Sequence, residues 1–256
     1  MPEAALADRG IAITRPLEQA RGLAELIRQQ HGRPILFPLL DIQPLDDYSA
    51  FDRVLDQLPH ADWAIFISTN AVEQGVPRLQ RRYPDLPRRL RFAGIGPSTA
   101  ARLADFGIRQ VLVPRERYDS EHLLALPEMQ QVQGLRILLF RGTGGREMLA
   151  DGLRARGAEV IPAECYRRSN PQQDAGELAA LWQNNQLHAC VVTSSEALRN
   201  LLALAASEQW LKAVPLCVNH PRIAEQATQH GLHVVLAEGP GDPAMLRCLT
   251  SLLRKS

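Results

Sequence analysis

Short apolar runs, many of them β-branched, alternate along this chain with longer stretches whose apolar positions recur every three or four residues. In the first half Ile11–Ile13, Ile35–Phe37, Ala64–Ile67, Phe92–Ile95 and Gln110–Val113 read as strands. Between them the pattern predicts helices from Leu17 to His31, through Val72 and Leu79, and up to Phe106, with Gly32 and Gly107 as stops. The alternation restarts at Leu135. Strands follow at Arg136–Phe140, Glu159–Ile161, Ala189–Val192, Leu216–Val218 and Val234–Leu236. Helices are predicted at Met148–Arg156, from Glu196, up to His230, and at Pro243–Leu253. Apolar strands of a few residues separated by helices predict parallel sheets covered on both faces, an α/β fold.

The two halves resemble each other at a near-constant offset of about 125 residues. Gly10 aligns with Gly134, Gly32 with Gly157, and Gly96-Pro97 with His220-Pro221. Ala64-Ile65-Phe66-Ile67-Ser68-Thr69-Asn70 aligns with Ala189-Cys190-Val191-Val192-Thr193-Ser194-Ser195. Two similar α/β lobes with a cleft between them are the simplest architecture. Phe37–Leu45 and Pro162–Pro171 occupy equivalent places in the repeat, carry prolines and read as extended crossings between lobes.

Composition narrows the function classes. The 256 residues include 29 basic and 28 acidic side chains, a formal net charge of +1, and 45% are hydrophobic. That apolar content suits a folded chain, and the charge balance gives no case for a nucleic-acid or membrane-surface partner. No apolar run is long enough to span a bilayer, and the acidic opening is unlike a secretory signal. Cys165, Cys190, Cys217 and Cys248 lie far apart, without zinc-ligand spacing, and His230 and His233 straddle Gly231. The expectation is a cytoplasmic protein with no metal site and no disulfide framework.

In a parallel sheet, ligands gather beyond the C-terminal ends of the strands. Those positions carry Thr14-Arg15, Ser68-Thr69-Asn70, Gly96 with Ser98 and Thr99, Thr193-Ser194-Ser195, and His220 with Arg222. Such residues expose backbone N–H groups at helix starts, where an anion is favoured. Plain helix capping requires the same residue types. Arg141-Gly142-Thr143-Gly144-Gly145-Arg146 is similar to a phosphate cradle but lacks both the P-loop and the dinucleotide spacing. Its two arginines suit carboxylates or phosphates. The arginine run from Arg78 to Arg91 reads as a solvated helix end, and no nucleophile motif is present. Tyr166, on a crossing segment, is placed either to pack the hinge or to face the cleft.

Taken together, Thr14-Arg15-Pro16, the turns at Phe66–Val72 and Gly94–Ala100, the stretch from Arg141 through Gly157 to Glu164-Cys165-Tyr166-Arg167-Arg168, and Thr193-Ser194 resemble the uroporphyrinogen-III synthases, in the family's order. Ile67 departs from the Thr found in many members, which leaves Ser68 and Thr69 as the polar contacts. Pro97 replaces a polar residue of some members, which leaves backbone amides there.

The resemblance implies two α/β lobes joined by a two-stranded antiparallel linker: residues 1–37 with 169–256, residues 43–163, and linker strands at 38–42 and 164–168. It implies a monomer acting on hydroxymethylbilane, whose acetate and propionate arms carry eight carboxylates, with hydroxymethylbilane synthase upstream. The product is uroporphyrinogen III, formed with loss of water and inversion of ring D, without a cofactor. Tyr166 is the implied general acid. Thr14, Arg15, Ser68, Thr69, Asn70, Gly96, Ser98 and Thr99 are the implied substrate contacts of the first half. Arg141, Gly142, Gly144, Gly145, Arg146, Thr193, Ser194, Ser195, His220 and Arg222 are those of the second. The competing expectation is a non-catalytic two-lobed binding protein for a small polyanion.

Overall fold

The computed structural model describes residues 5–144, 147–205, 209–239 and 241–254. The chain divides into two compact units, Met1–Asp41 with Ser169–Ser256, and Ile42–Arg168.

In the first unit the strands are β1 (Gly10–Ile13), β2 (Arg33–Leu36), β9 (Ala189–Val192), β10 (Leu216–Val218) and β11 (Val234–Leu236). They form a five-stranded parallel sheet in the order β11-β10-β9-β1-β2, with Ile11 opposite Ala189. The helices are α1 (Leu17–Gln29), α8 (Ala175–Gln183), α9 (Ser195–Ala205), α10 (Gln209–Ala213), α11 (Pro221–Gln229) and α12 (Asp242–Leu253). The period of two along each strand feeds two cores. Ile11, Ile13, Ala189 and Val191 face Leu23, Ile27 and Leu249 on one side. Ala12, Cys190 and Val192 face Leu198, Leu201 and Trp210 on the other.

The second unit holds β3 (Asp41–Gln43), β4 (Trp63–Phe66), β5 (Arg91–Gly94), β6 (Val111–Leu112), β7 (Arg136–Gly142) and β8 (Glu159–Ser169). The six-stranded order is β3-β8-β7-β4-β5-β6, and the pairs from β8 to β6 are parallel. Its helices are α2 (Ser49–Leu55), α3 (Thr69–Arg82), α4 (Pro97–Asp105), α5 (Ser120–Ala125), α6 (Pro127–Gln130) and α7 (Met148–Ala155), with a 3₁₀ turn at Leu58–His60. Ala64, Phe66, Leu138 and Phe140 pack on Phe51, Val72 and Leu79. Ile65, Ile137 and Leu139 pack on Leu123, Met129 and Leu153. Phe66 and Phe140 stack with centroids 4.3 Å apart. Each buried Leu, Ile or Phe of this kind stabilises the fold by roughly 1.5–3 kcal/mol relative to exposure.

The sequence repeat and the units do not coincide. From edge to edge, β11, β10, β9, β1 and β2 of one sheet correspond to β6, β5, β4, β7 and β8 of the other. Leaving β3 aside, each sheet therefore takes two strands from one copy of the repeat and three from the other. The crossing segments also differ from a simple reading. Residues 38–40 belong to no strand and β3 starts at Asp41, whereas β8 runs unbroken from Glu159 through Pro162 to Ser169. A proline is tolerated there because β3 has three residues against eleven in β8, so much of β8 lies at a sheet edge.

Candidate functional site

In each sheet the direction of strand succession reverses at one place, between β1 and β9 in the first unit and between β7 and β4 in the second. A crevice at such a reversal is where an open α/β sheet binds ligands. The residues singled out from the sequence fall at these ends, each set within its own unit.

In the second unit, β4 ends at Phe66 and Ser68 caps α3, its Oγ accepting the Ala71 N–H at 3.0 Å. The apolar stripe Val72, Val76 and Leu79 fixes α3 against the sheet, and thereby fixes this turn. Beside it, the β7–β8 register shifts: Arg141 lies opposite Glu164, but Gly142 lies opposite Tyr166. Cys165 is thus an extra residue, and the bulge turns the Tyr166 ring over Gly142. Only glycine fits beneath it, since a Cβ at 142 would lie 2.7 Å from the ring.

Tyr166 is completely buried. Its hydroxyl lies 3.2 Å from Ser68 Oγ and accepts a hydrogen bond from Arg168 Nη2 at 3.1 Å. The Arg168 guanidinium carbon is 5.6 Å from the ring centroid. Neighbouring Cys165 is buried, and burial pushes its thiol up to about 12, which leaves it an inert packing group.

Arg141 points inward and is 1% exposed. Its Nη1 donates to Glu147 at 2.7 Å and its Nε to the Gly142 carbonyl at 3.4 Å, while Nη2 is buried without an acceptor. Direct contact with a ligand carboxylate would require that enclosure to open. Thr143 and Gly144 are exposed, and the Gly144 N–H reaches Glu164 at 3.4 Å, with φ at +65°. Gly145 and Arg146 lie outside the described residues. Thr69 and Asn70 are half-buried in the first turn of α3. Gly96 caps α4 beneath Tyr118, Ser98 is exposed and Thr99 is buried.

In the first unit, Thr14 is buried and its hydroxyl donates to the Val191 carbonyl at 2.9 Å, tying β1 to β9. Arg15 pairs with Asp242 at the start of α12. Ser194 caps α9 by accepting from Ala197 N–H at 3.0 Å, and Thr193 is half-buried. His220 caps α11 through Nδ1, which accepts the Arg222 N–H at 3.2 Å. This geometry is that of a cap, one of the two readings open from sequence. Ser195 Oγ and Asn219 Oδ1, which follow the neighbouring strands β9 and β10, are buried without partners.

Sequence reasoning set Asn219 at a strand end without naming it as a contact, and missed Arg168 and Glu147 as participants. Asn219 carried a usable signal, since it immediately follows β10 at a strand end. Arg168 and Glu147 carried none, because their roles come from the bulge and from the burial of Arg141.

Among the described residues no group of three His, Cys, Asp or Glu side chains is placed to hold a metal ion, and no helix is long and apolar enough to cross a membrane.

Comparison with known proteins adds a family to this geometry. The family model described as uroporphyrinogen-III synthase HemD matches residues 21–247. Uroporphyrinogen-III synthase of Escherichia coli is 34% identical over 243 residues, covering 93% of this chain and 99% of that protein. The Synechococcus elongatus protein of the same name is 31% identical over 211 residues, 81% of this chain and 78% of its own. Among solved structures, a mutant uroporphyrinogen III synthase from the extremely thermophilic bacterium Thermus thermophilus superposes with a TM-score of 0.69 at 16% identity, over 97% of this chain and 100% of that one. The Helicobacter pylori enzyme gives 0.56 at 17% identity, over 95% and 99%. These structures bear on the fold, and they share its two-lobed α/β form. With nearly the whole length matched by the family model and by relatives above 30% identity, this chain belongs to the uroporphyrinogen-III synthase family.

Proposed function

We propose that Tyr166, acting through Ser68, supplies the proton for ring closure, and that strand-end turns hold the substrate's carboxylates. The reaction is uroporphyrinogen-III synthesis, a cyclising lyase step of haem biosynthesis. The substrate under this reading is hydroxymethylbilane. An electron-rich pyrrole, ring A, expels the hydroxyl of its hydroxymethyl group as water and becomes an azafulvene. Ring D attacks it through its already substituted carbon. The resulting spiro intermediate fragments and recloses with ring D inverted, releasing a proton. Because substrate in water also closes without inversion, holding the chain in one geometry is a leading contribution.

The observation that carries the proton assignment is the contact between Tyr166 and Ser68, 3.2 Å, made across the end of β7. The enclosed phenol does not itself meet solvent, whereas Ser68 is half-exposed. Ser68 Oγ accepts from the Ala71 N–H and has one acceptor site and one proton left. It takes the Tyr166 proton and passes its own to the departing hydroxyl. The Arg168 guanidinium, already donating to the phenol oxygen, stabilises the phenolate until the proton lost on reclosure returns.

Carboxylate binding rests on the start of α3 at Thr69 and Asn70, on the exposed Thr143–Gly144 turn, on Ser98 at the start of α4, and on the Thr193–Ser195 and His220–Arg222 turns. Gly96 and Thr99 shape the α4 turn, and Thr14 and Arg15 fix the end of β1. Unpartnered Ser195 Oγ and Asn219 Oδ1 support a ligand role in the first unit, since a buried polar atom left unsatisfied is costly. An anion at a helix start gains roughly 0.3–1 kcal/mol. Gly145 and Arg146, next in the sequence, complete the set of contacts under this reading. Four buried free thiols suit a reducing cytoplasm, with hydroxymethylbilane synthase supplying substrate to a monomer.

Incubation with hydroxymethylbilane followed by chromatographic separation of isomers I and III tests the reading. Accumulation of isomer III is expected. Isomer I alone, the spontaneous product, would show a protein that merely binds the polyanion.

A further inference from the structure

At the opposite end of the second unit's sheet, where β4, β5 and β6 begin, an open groove of about 800 Å³ is lined in part by Trp63, Leu86, Phe92 and Ile108. It lies about 16 Å, five residues of extended chain, from the Ser68 turn. Its rim carries Arg88, Arg91 and Arg109, all exposed, against a single carboxylate, Glu128.

Three other members of the arginine run are engaged, while Arg81 is exposed in the last turn of α3. Arg78 is bonded to Asp52, Arg82 to Asp56, and Arg89 to the Pro59 carbonyl. Arg88, Arg91 and Arg109 have no ion pair among the described residues. The α4 C-terminus explains a cation at Arg109, because a helix end favours positive charge there. It does not explain Arg88 or Arg91, which flank the start of β5.

Two further features favour a flat ligand. The Arg91 guanidinium lies over the Trp63 ring, 4.3 Å from its centroid, so one wall already accepts a planar group by stacking. Trp63 is 3% exposed, and its indole N–H is buried without an acceptor. A buried donor in that state is costly unless something supplies the acceptor.

We propose that this groove binds a planar aromatic polycarboxylate, a class that includes the oxidised form of the macrocycle this family makes. The apolar wall takes the ring system, the three guanidiniums take carboxylates, and the Trp63 N–H, enclosed in the free protein, takes an acceptor atom when the groove wall opens. The groove shares no residue with the proton-transfer site, so it provides a second place where such a molecule meets the protein.

The test is a titration of the full chain with uroporphyrin III at low salt, reading tryptophan quenching, bound probe per chain and isomer III turnover. Wild type is compared with Arg91→Ala/Arg109→Ala, Trp63→Phe and Glu128→Gln. The double variant, with both changes at exposed positions, is expected to lose one bound probe per chain, or to weaken it at least about tenfold, with turnover unchanged. Trp63→Phe keeps a ring and removes the donor, so it weakens the same site and abolishes its share of the quenching. Glu128→Gln tightens it about two- to fivefold. If the strand-end turns do not hold the macrocycle's carboxylates, wild type binds one probe and the double variant none, and the groove still stands. Equal stoichiometry and affinity in wild type and the double variant overturn the proposal. So does full displacement by millimolar inorganic phosphate, which marks a simple anion site, or tighter binding of a short single-stranded RNA.

Discussion

The Tyr166 hydroxyl and Ser68 Oγ, 98 residues apart in the chain, lie 3.2 Å from each other although β7 separates their strands, β8 and β4. Tyr166→Phe removes the proton and leaves the ring packed over Gly142. Isomer III formation is expected to fall at least about tenfold, on the low side of general-acid effects, with the urea midpoint little changed. Ser68→Ala interrupts the same path and also removes the α3 cap, at a cost of about 1 kcal/mol of stability. Single-turnover rates and isomer ratios for both variants check this. Wild-type rates in Tyr166→Phe remove the phenol from the mechanism.

The strands and the glycine stops were legible because both sheets are buried on two faces, and a buried parallel strand is a bare apolar run. Ala189–Val192 and Leu216–Val218 sit where their runs sit. Short helices such as α2, α6 and α10 escaped, since seven, four and five residues hold too few turns to display a period. The internal repeat was visible, but its distribution over two sheets was not, because pairing of β1 with β9 leaves no local mark on either strand. The strand-end turns were legible as a class, since caps and anion sites use the same residues. The orientation of a side chain within a turn was not. Arg141 reads as a free guanidinium, and only the packing around β7 shows it turned inward.

Arg141 accordingly tests stability more than affinity. Removing the side chain leaves Glu147 solvated, since it is 53% exposed, but opens a cavity beneath the turn. Arg141→Ala is expected to cost about 2–4 kcal/mol. Arg141→Met refills the stem volume and eliminates the orphaned Nη2, so it recovers most of the loss. In the folded Met variant KM is expected to stay within about threefold of wild type. A KM raised tenfold or more at unchanged stability would place Arg141 on a substrate carboxylate instead.

His188 gives the first unit a pH-dependent tie. Its Nδ1 accepts the Gly10 N–H at 3.0 Å, which requires the ring to be neutral on that side. Burial first, then the charges of Arg9 and Arg33, hold the imidazole below its ordinary 6.5. In the unfolded chain the ring protonates near that ordinary value, and in the folded chain only at lower pH. Between the two, the unfolded state binds more protons, so stability is whole above pH 6.5 and declines as pH falls through the folded value. Urea midpoints between about pH 7.5 and 5 are expected to fall more steeply for wild type than for His188→Asn, which keeps an acceptor but does not titrate. Parallel slopes would dissociate His188 from the acid sensitivity.

The crossed repeat makes a prediction about fragments that sequence alone would reverse. Residues 1–125 hold one complete copy of the repeat, yet β1 and β2 in that piece lack β9, their neighbour in the sheet, and α1 lacks α12. Their apolar faces would stay in water. Residues 42–168 break the repeat across its middle, but they keep β4, β5, β6, β7 and β8 in one sheet with both of its cores, from Phe51 and Leu58 to Leu149 and Leu153. Roughly 1.5–3 kcal/mol for each large core side chain gives that piece a sufficient interior, whereas the sequence-defined half loses a whole layer. The 42–168 fragment is expected to unfold cooperatively in urea with dispersed amide resonances, and the 1–125 fragment to show neither property. A cooperative transition in the 1–125 piece would mean that β1 and β2 can pair within their own repeat copy, and that the crossed sheets are one of two arrangements open to the chain.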